Sequence, residues 1–489
     1  MLPKWIVKFK EPKTEIKMIN GKFYKYRVEY KYNPEKKRTD KISKELLGRI
    51  TEDRGFIESE KLKLVNKVRE IPSVSILTYG VYNLFSQLMR EEINSLPGYF
   101  RKEETEIMLI ASMMRFVYQS PIKRMSYYFE HDTVSLSWSC SGLSDKKIRA
   151  TLKYFGEERK TILTWMRDRL SDNNINNGDF VMIDSTHIPV QSENINVNAR
   201  GYNPDNNHDF QIRLMYIFSS KINVPVYYKL INGNITDVKS MKGCVNDLSL
   251  NDIIFIADKG FYSKSNIDAL RVESLFYIIP LYRNNSLIDY EPLRKENPKK
   301  VIGNFFTYQK RIIWYYEYER DNQKVVTYLD EKLRVEEETD YIFRINTCPE
   351  KYSREKYFEI LHRFGTLTLV NCLPKDYSAK ELYEIYKQRN EIEVMFDAYK
   401  NFLEADKTYM QDRYVMEGWL MANFLAIIAY YRLYSLIKKA DMLSQYSPKD
   451  IVEFSRKIYK TNIRGNWTIS ETTKKVDKIF KKLGIDYLN

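Results

Sequence analysis

Cysteine and histidine are both scarce. The 489 residues hold four of each. Cys140, Cys244, Cys348 and Cys372 stand far apart with no C-x-x-C pair, and His131, His187, His208 and His362 add no zinc-type spacing. A structural zinc site is therefore excluded, and a reducing compartment is expected. A signal-type apolar run is missing as well, because the opening MLPKWIVKFKEPK carries charges where such a segment is apolar. The most apolar stretch, Trp419 to Tyr431, is interrupted by Asn423. It is too short to span a bilayer and reads as a buried helix. A cytoplasmic protein with no membrane partner is expected. Acidic residues are in deficit too: 65 Asp and Glu against 79 Lys and Arg give a net charge of +14. That excess suits a polyanion such as nucleic acid.

What is present is ample core material. Hydrophobic residues make up 43% of the chain, and its length predicts about two to four domains. Residues 21–32, GKFYKYRVEYKY, alternate strictly. They predict a half-buried strand with Tyr24, Tyr26, Val28, Tyr30 and Tyr32 on one face. Asn33-Pro34 and EKKR end it, and Leu46 to Ile50 predicts a second strand. From Ser73 to about Leu170 the periodicity is helical. Within it, SGLSDKKIRATLKYFG offers Ser144 as an N-cap and Ile148, Leu152 and Phe155 at helical spacing. A short helix, a turn and this basic helix resemble a helix-turn-helix, with Lys146, Lys147 and Arg149 as candidate DNA contacts.

A polar linker, residues 171–179, leads into an α/β pattern. Strands are predicted at Phe180–Ile183, Phe210–Phe218, Val224–Ile231, Ile253–Ala257 and Leu275–Ile279, with a turn signal at Asn232-Gly233. Residues 285–374 read as β-rich, with strands at 305–307, 311–318, 324–328, 341–346 and 365–372. Residues 375–440 and 441–489 read as helical.

Two aspartates follow two apolar strands: Asp184 after FVMI and Asp258 after IFIA. Ligands bind at such strand ends in α/β sheets, although a lone Asp there is more often a cap. Downstream, YKQRNEIEVMFDAYK carries Tyr386, Arg389, Glu393 and Lys400 at offsets 0, 3, 7 and 14. At about 3.6 residues per turn these share one helical stripe. An Arg389–Glu393 surface ion pair is the plainer reading. Three convergent carboxylates need cations, and hard oxygen ligands suit Mg²⁺ or Mn²⁺. Two such ions about 3.5–4 Å apart serve in-line phosphodiester displacement. His187, His208, Asp209 and Asp237 read as structural, and Lys259 beside Asp258 is a candidate phosphate contact.

These motifs resemble the DDE transposases of prokaryotic insertion sequences, in the group with a Y-R-E-K signature. Asp184 in MIDSTHI, Asp258 in FIADKGFYS and the complete Y-R-E-K spacing carry the resemblance. GYNPDNNHDFQIRLMYIF, LINGNITD and VEYKYNPEKKRTDKISKELLGRI support it. The resemblance implies an RNase H-like (retroviral-integrase-like) catalytic domain interrupted by a β-rich insertion, with an N-terminal β/helical DNA-binding region. The expected layout is a β-rich unit 1–60, a helical DNA-binding region 61–175 and a catalytic part 176–284. The insertion 285–374, a second catalytic part 375–440 and a basic helical region 441–489 follow. The long gap before the glutamate, 393 − 258 = 135 residues, is filled by 285–374.

Asp184, Asp258 and Glu393 would ligate two Mg²⁺ (or Mn²⁺) ions, and Tyr386, Arg389 and Lys400 would hold DNA phosphate. Trp314, the one Trp in the insertion, would stack a flipped base, against the plainer reading of a core Trp. The implied activity is metal-dependent cleavage of element ends and strand transfer by a homodimer on DNA. The alternatives are a nuclease of the same fold and a catalytically silent DNA-binding descendant, which the intact triad disfavours.

Overall fold

A computed structural model describes residues 2–33, 37–63, 74–138, 142–173, 175, 179–189, 199–200, 210–231, 237–248, 253–405, 410–463 and 465–487. The turn at 34–36, the Asn232-Gly233 turn, Cys140, His208, Asp209 and most of the GYNPDNNHD segment lie outside them. The chain forms two compact units, residues 1–76 with 461–468, and residues 77–460 with 469–489.

The first unit is built on an antiparallel meander: β1 (Thr14–Ile19), β2 (Lys22–Asn33), β3 (Arg38–Thr51) and β4 (Gly55–Glu58). The expected alternation of β2 fails. Register shifts at Lys25/Tyr26 and Arg27/Val28 break the two-residue period. Lys25 is consequently buried and paired with Glu11 at 2.8 Å, while Tyr30 and Tyr32 are exposed. Val74–Thr78 forms β5.

The second unit is organised on one mixed sheet. Its first strands are β6 (Phe180–Pro189), β7 (Ala199–Arg200), β8 (Phe210–Ser219), β9 (Val224–Ile231), β10 (Ile254–Ile256) and β11 (Phe276–Pro280). β6 is antiparallel to β8, and β8 to β9, while β10 runs parallel to both β6 and β11. Three antiparallel strands followed by two parallel ones give an RNase H-like core.

The sheet does not stop at β11. It continues through β15 (Thr366–Cys372), β14 (Gln323–Asp330), β13 (Arg311–Arg320) and β12 (Asn304–Tyr308), all antiparallel. The strands of 285–374 therefore extend the sheet that carries the aspartates. This segment is also less β-rich than its composition suggests. Residues 341–346, read as a strand, lie in the helix Glu331–Thr347. Asp330 starts that helix by accepting from Lys332 N and Leu333 N, at 3.0 and 3.2 Å. The cap and the charged run after it outweigh the β propensity of the later residues.

Helices pack on the sheet and on one another. The helix Arg413–Lys439 is apolar and long enough to cross a membrane by length and composition, but most of it is buried inside the fold. It crosses Asp145–Glu157 at very short range. A Cβ at Gly156 would sit 1.9 Å from Tyr414 O, and one at Gly418 would sit 1.9 Å from Leu152 O. Reciprocal glycines thus set the approach of the two backbones. Asn423, the break in the apolar run, accepts from Arg115 Nε at 2.9 Å.

The helix Asp145–Glu157 buries Ile148, Leu152 and Phe155 and is capped by Ser144 as expected. The short helix before it, Val134–Ser137, has four residues. The last segment is not wholly helical. β16 (Tyr459–Ile463) and β17 (Asn466–Ile469) form a hairpin about Gly465, at φ +87°, and β16 pairs with β5.

Candidate active site

Asp184 stands inside β6 opposite Tyr216 of β8, not at the strand's end, and Asp258 follows β10. Each aspartate fixes one carboxylate oxygen on the next backbone amide. Ser185 N donates to Asp184 Oδ1 at 2.8 Å, and Lys259 N to Asp258 Oδ1 at 2.7 Å. Asp258 thereby caps the turn Lys259–Phe261. β6 and β10 are adjacent and parallel, so the two carboxylates share one end of the core.

The third element is not the single regular helix that the stripe implies. Ser378 opens it with a capping box to Glu381, and the first helix ends at Lys387. Gln388 and Arg389 form a turn, and Asn390–Asp397 resumes the helix. Around the turn the bonds span three residues: Arg389 N to Tyr386 O at 3.0 Å and Ile392 N to Arg389 O at 3.0 Å. This tightening brings Tyr386 and Arg389 onto one edge. Beyond Asp397 the backbone widens into a π turn, Ala398–Phe402. Lys400 sits there, exposed, with no ion pair among the described residues. The phase slip of a π turn removes it from the regular stripe.

Arg389 is the centre of the site. Its residue is 8% exposed, yet it reaches all three acidic groups. Nη2 lies 3.5 Å from Asp184 Oδ2 and 3.7 Å from Asp258 Oδ1, and Nη1 bonds Glu393 Oε1. Its Nε is buried and has no hydrogen-bond partner among the described residues. Burial pulls the guanidinium down, but Asp258, Tyr386, Asp184 and Glu393 together hold its pKa above the ordinary value. Burial raises Asp184 to about 6, against the Ser185 amide and Arg389. Burial also raises Tyr386 to about 12, so its phenol keeps its proton at neutral pH.

Among the described residues no three carboxylate, imidazole or thiol groups are already gathered as a cage for one ion. The three site carboxylates instead surround a guanidinium. Their chemistry still fits a divalent cation in exchange for the guanidinium, because carboxylate oxygens are the hard ligands such an ion takes.

The other expected contacts are dispersed. Lys259 is exposed, with Nζ 5.6 Å from the centre of the Tyr282 ring. Trp314, on β13, is half-buried and tilted against Phe305 of β12 at 5.0 Å. Lys146 and Arg149 are exposed, and Lys147 pairs with Glu103 at 2.5 Å. His187 is three residues from Asp184 on the same strand and so points to the opposite face. It meets Arg213 across the ladder at 3.2 Å. The residue whose weight sequence reasoning missed is Arg389. It was expected to hold phosphate, whereas here it joins the acidic triad. The signal was its position four residues before Glu393 on a helix downstream of two acids that each follow an apolar run.

Residues 176–429, more than half of the chain, match the family of transposase DDE domains. The chain belongs to this family. It is a DDE transposase, an enzyme of DNA transposition by DNA cleavage and strand transfer, and enzymes of this kind use divalent metal ions. Among solved structures it is similar to the piggyBac transposase synaptic complex with hairpin DNA. That likeness has 13% identity and a TM-score of 0.39, over 73% of this chain and 70% of that one. A similarity to the Mos1 transposase paired-end complex with left transposon end has 13% identity and a TM-score of 0.14, over 36% and 58%. At these scores neither likeness carries an argument. No curated protein matches the chain.

Proposed function

We propose that this transposase cuts at the ends of a prokaryotic insertion sequence of the Y-R-E-K group and joins the freed 3′ ends to target DNA. The observation that carries this reading is the convergence of Asp184, Asp258 and Glu393 on Arg389. Asp184, Asp258 and Glu393 would hold two Mg²⁺ or Mn²⁺ ions. The chemistry such ions supply is activation of the attacking oxygen and stabilisation of the leaving one.

The chain's own residues prepare the site. The Ser185 amide fixes one oxygen of Asp184 and leaves the other toward Arg389, while Asp258 Oδ1 takes both the Lys259 amide and the approach of Arg389. Arg389 keeps the three acids together, and any carboxylate it gives up frees a donor for a scissile phosphate. Tyr386, protonated, donates from the same edge. Lys400 and Lys259, both exposed, serve the flanking phosphates. Trp314 with Phe305, 58% exposed, offers an aromatic edge to an unpaired base. Action as a homodimer on paired ends completes the reading. A cytoplasmic location agrees with Cys244, Cys348 and Cys372, which are all unpaired.

The test is cleavage of a supercoiled plasmid carrying the native flanking ends, in Mg²⁺ and in EDTA, by wild type and Glu393→Gln. Metal-dependent cutting at the ends, lost in the variant, is expected. Equal cutting by Glu393→Gln overturns the triad. Tight binding without cutting by wild type marks a silent descendant.

A further inference from the structure

A second basic feature lies away from the acidic triad. The helix Ile122–Glu130, the start of Asp145–Glu157, the Leu403–Glu404 turn and the helix Arg413–Lys439 enclose a cleft of about 820 Å³. Lys123, Arg124 and Arg149 line it, and among the described residues Glu404 is the one acidic group in the lining. All three cations are exposed, and among the described residues none forms an ion pair. Lysines and arginines elsewhere on these helices do find carboxylates, as Lys147 finds Glu103 and Lys153 finds Asp412.

The floor is also positive. Arg115 is 3% exposed, yet its hydrogen bonds go to neutral oxygens: the Asn423 side chain and the carbonyls of Gln119, Ser120 and Leu403. Burial lowers this guanidinium to about 10. Tyr399 and Glu404 offset that burial only in part, and an anion in the cleft would add to their support. Trp419 and Tyr128, also in the lining, supply ring surface beside the cations.

The chain ties this cleft to the triad. Leu403, whose carbonyl bonds Arg115, follows Glu393 by 403 − 393 = 10 residues of helix and π turn. At about 1.5 Å per residue Glu393 and Leu403 are separated by about 15 Å. Duplex DNA advances about 3.4 Å per base pair, so that span corresponds to about four base pairs.

We infer that this cleft binds the phosphate backbone of the duplex whose strand is cut at Asp184, Asp258 and Glu393, a few base pairs from the scissile bond. Lys123, Arg124 and Arg149 neutralise the phosphates, and Arg115 supplies fixed positive potential beneath them. The inference rests on the proposed transposase reading for its ligand.

The test is binding of a labelled duplex by the full chain across a salt series in EDTA. Wild type is compared with Lys123→Gln/Arg124→Gln and with Lys123→Glu/Arg124→Glu. Both residues are exposed helix positions, and unchanged thermal melts confirm folding. The neutral pair is expected to lower the slope of log K against log salt by about 2, the loss of two phosphate contacts. The reversed pair should weaken binding further. Slopes and affinities equal to wild type in both variants overturn the inference, and so does a loss confined to single-stranded DNA. Plasmid cutting by wild type in Mg²⁺ is read separately. Cutting with an unchanged slope defeats the cleft alone. A changed slope without cutting upholds the cleft and defeats the catalytic reading.

Discussion

Arg389 Nη2 lies 3.5 Å from Asp184 Oδ2 while the same guanidinium holds Glu393. One buried cation thus stabilises acids from a strand and from a helix distant in sequence. Arg389→Ala leaves three like charges facing one another. Breaking a fully buried pair costs about 3–5 kcal/mol. These carboxylates are partly exposed, so about 1–3 kcal/mol is expected here. Urea melts in EDTA should show the loss, and Mg²⁺ should restore much of it. An equal loss in both media would mean that Arg389 acts by packing.

Gly156→Ala tests the helix crossing. The added Cβ would meet Tyr414 O at 1.9 Å, where backbone must move. Overpacking of this kind costs about 1–3 kcal/mol or more. Gly98→Ala, where nothing lies within 4 Å of the added Cβ, is the control and should change little. Thermal melts of both variants decide it.

Asp132 gives a stability effect with a defined sign. It is fully buried, accepts from Val134 N at 2.9 Å and has no partner for Oδ2 among the described residues. Burial raises its pKa from 3.8 to about 7. Below the lower value both folded and unfolded chains hold the proton. Between the two values the unfolded chain releases it first, so stability falls as pH rises and the full penalty applies above about 7. Asp132→Asn should therefore raise Tm by several degrees at pH 8 and change it little at pH 4.

Trp314→Ala separates packing from contact with DNA. Stacking of a base on an aromatic side chain is worth about 1–3 kcal/mol. If Trp314 contributes it, end processing should fall by about 10- to 100-fold while duplex binding persists. Normal processing would leave the ring with its packing against Phe305 alone.

Much of the site was legible because its signals are local. FVMI and IFIA are apolar runs, and an apolar run followed by Asp reads as a buried strand with a polar group near its end. The Y-R-E-K spacing was legible for the same reason, since helical periodicity is a short-range property. The tightened turn at Gln388–Arg389 and the π turn at Ala398–Phe402 were not, because no Gly or Pro marks either one. Tyr341–Asn346 misled because aromatic and β-branched residues resemble a strand, whereas the deciding cap, Asp330, stands eleven residues before Tyr341. The pairing of β15 with β11, which joins residues 285–374 to the core, is a long-range contact that no local pattern reports. Nor could the sequence show that Arg389 would collect all three acids.

The unbroken ladder from β6 to β12 acts as a ruler. Strands in a sheet repeat at about 4.8 Å. β13, which carries Trp314, is five intervals from β6, which carries Asp184, or about 24 Å along the sheet. Backbone hydrogen bonds set that length, so side-chain substitutions leave it unchanged. Only loss or gain of a paired strand alters it, in steps of one interval, or two when a whole hairpin is removed. Whatever lies against Trp314 is measured from the acidic triad in those increments.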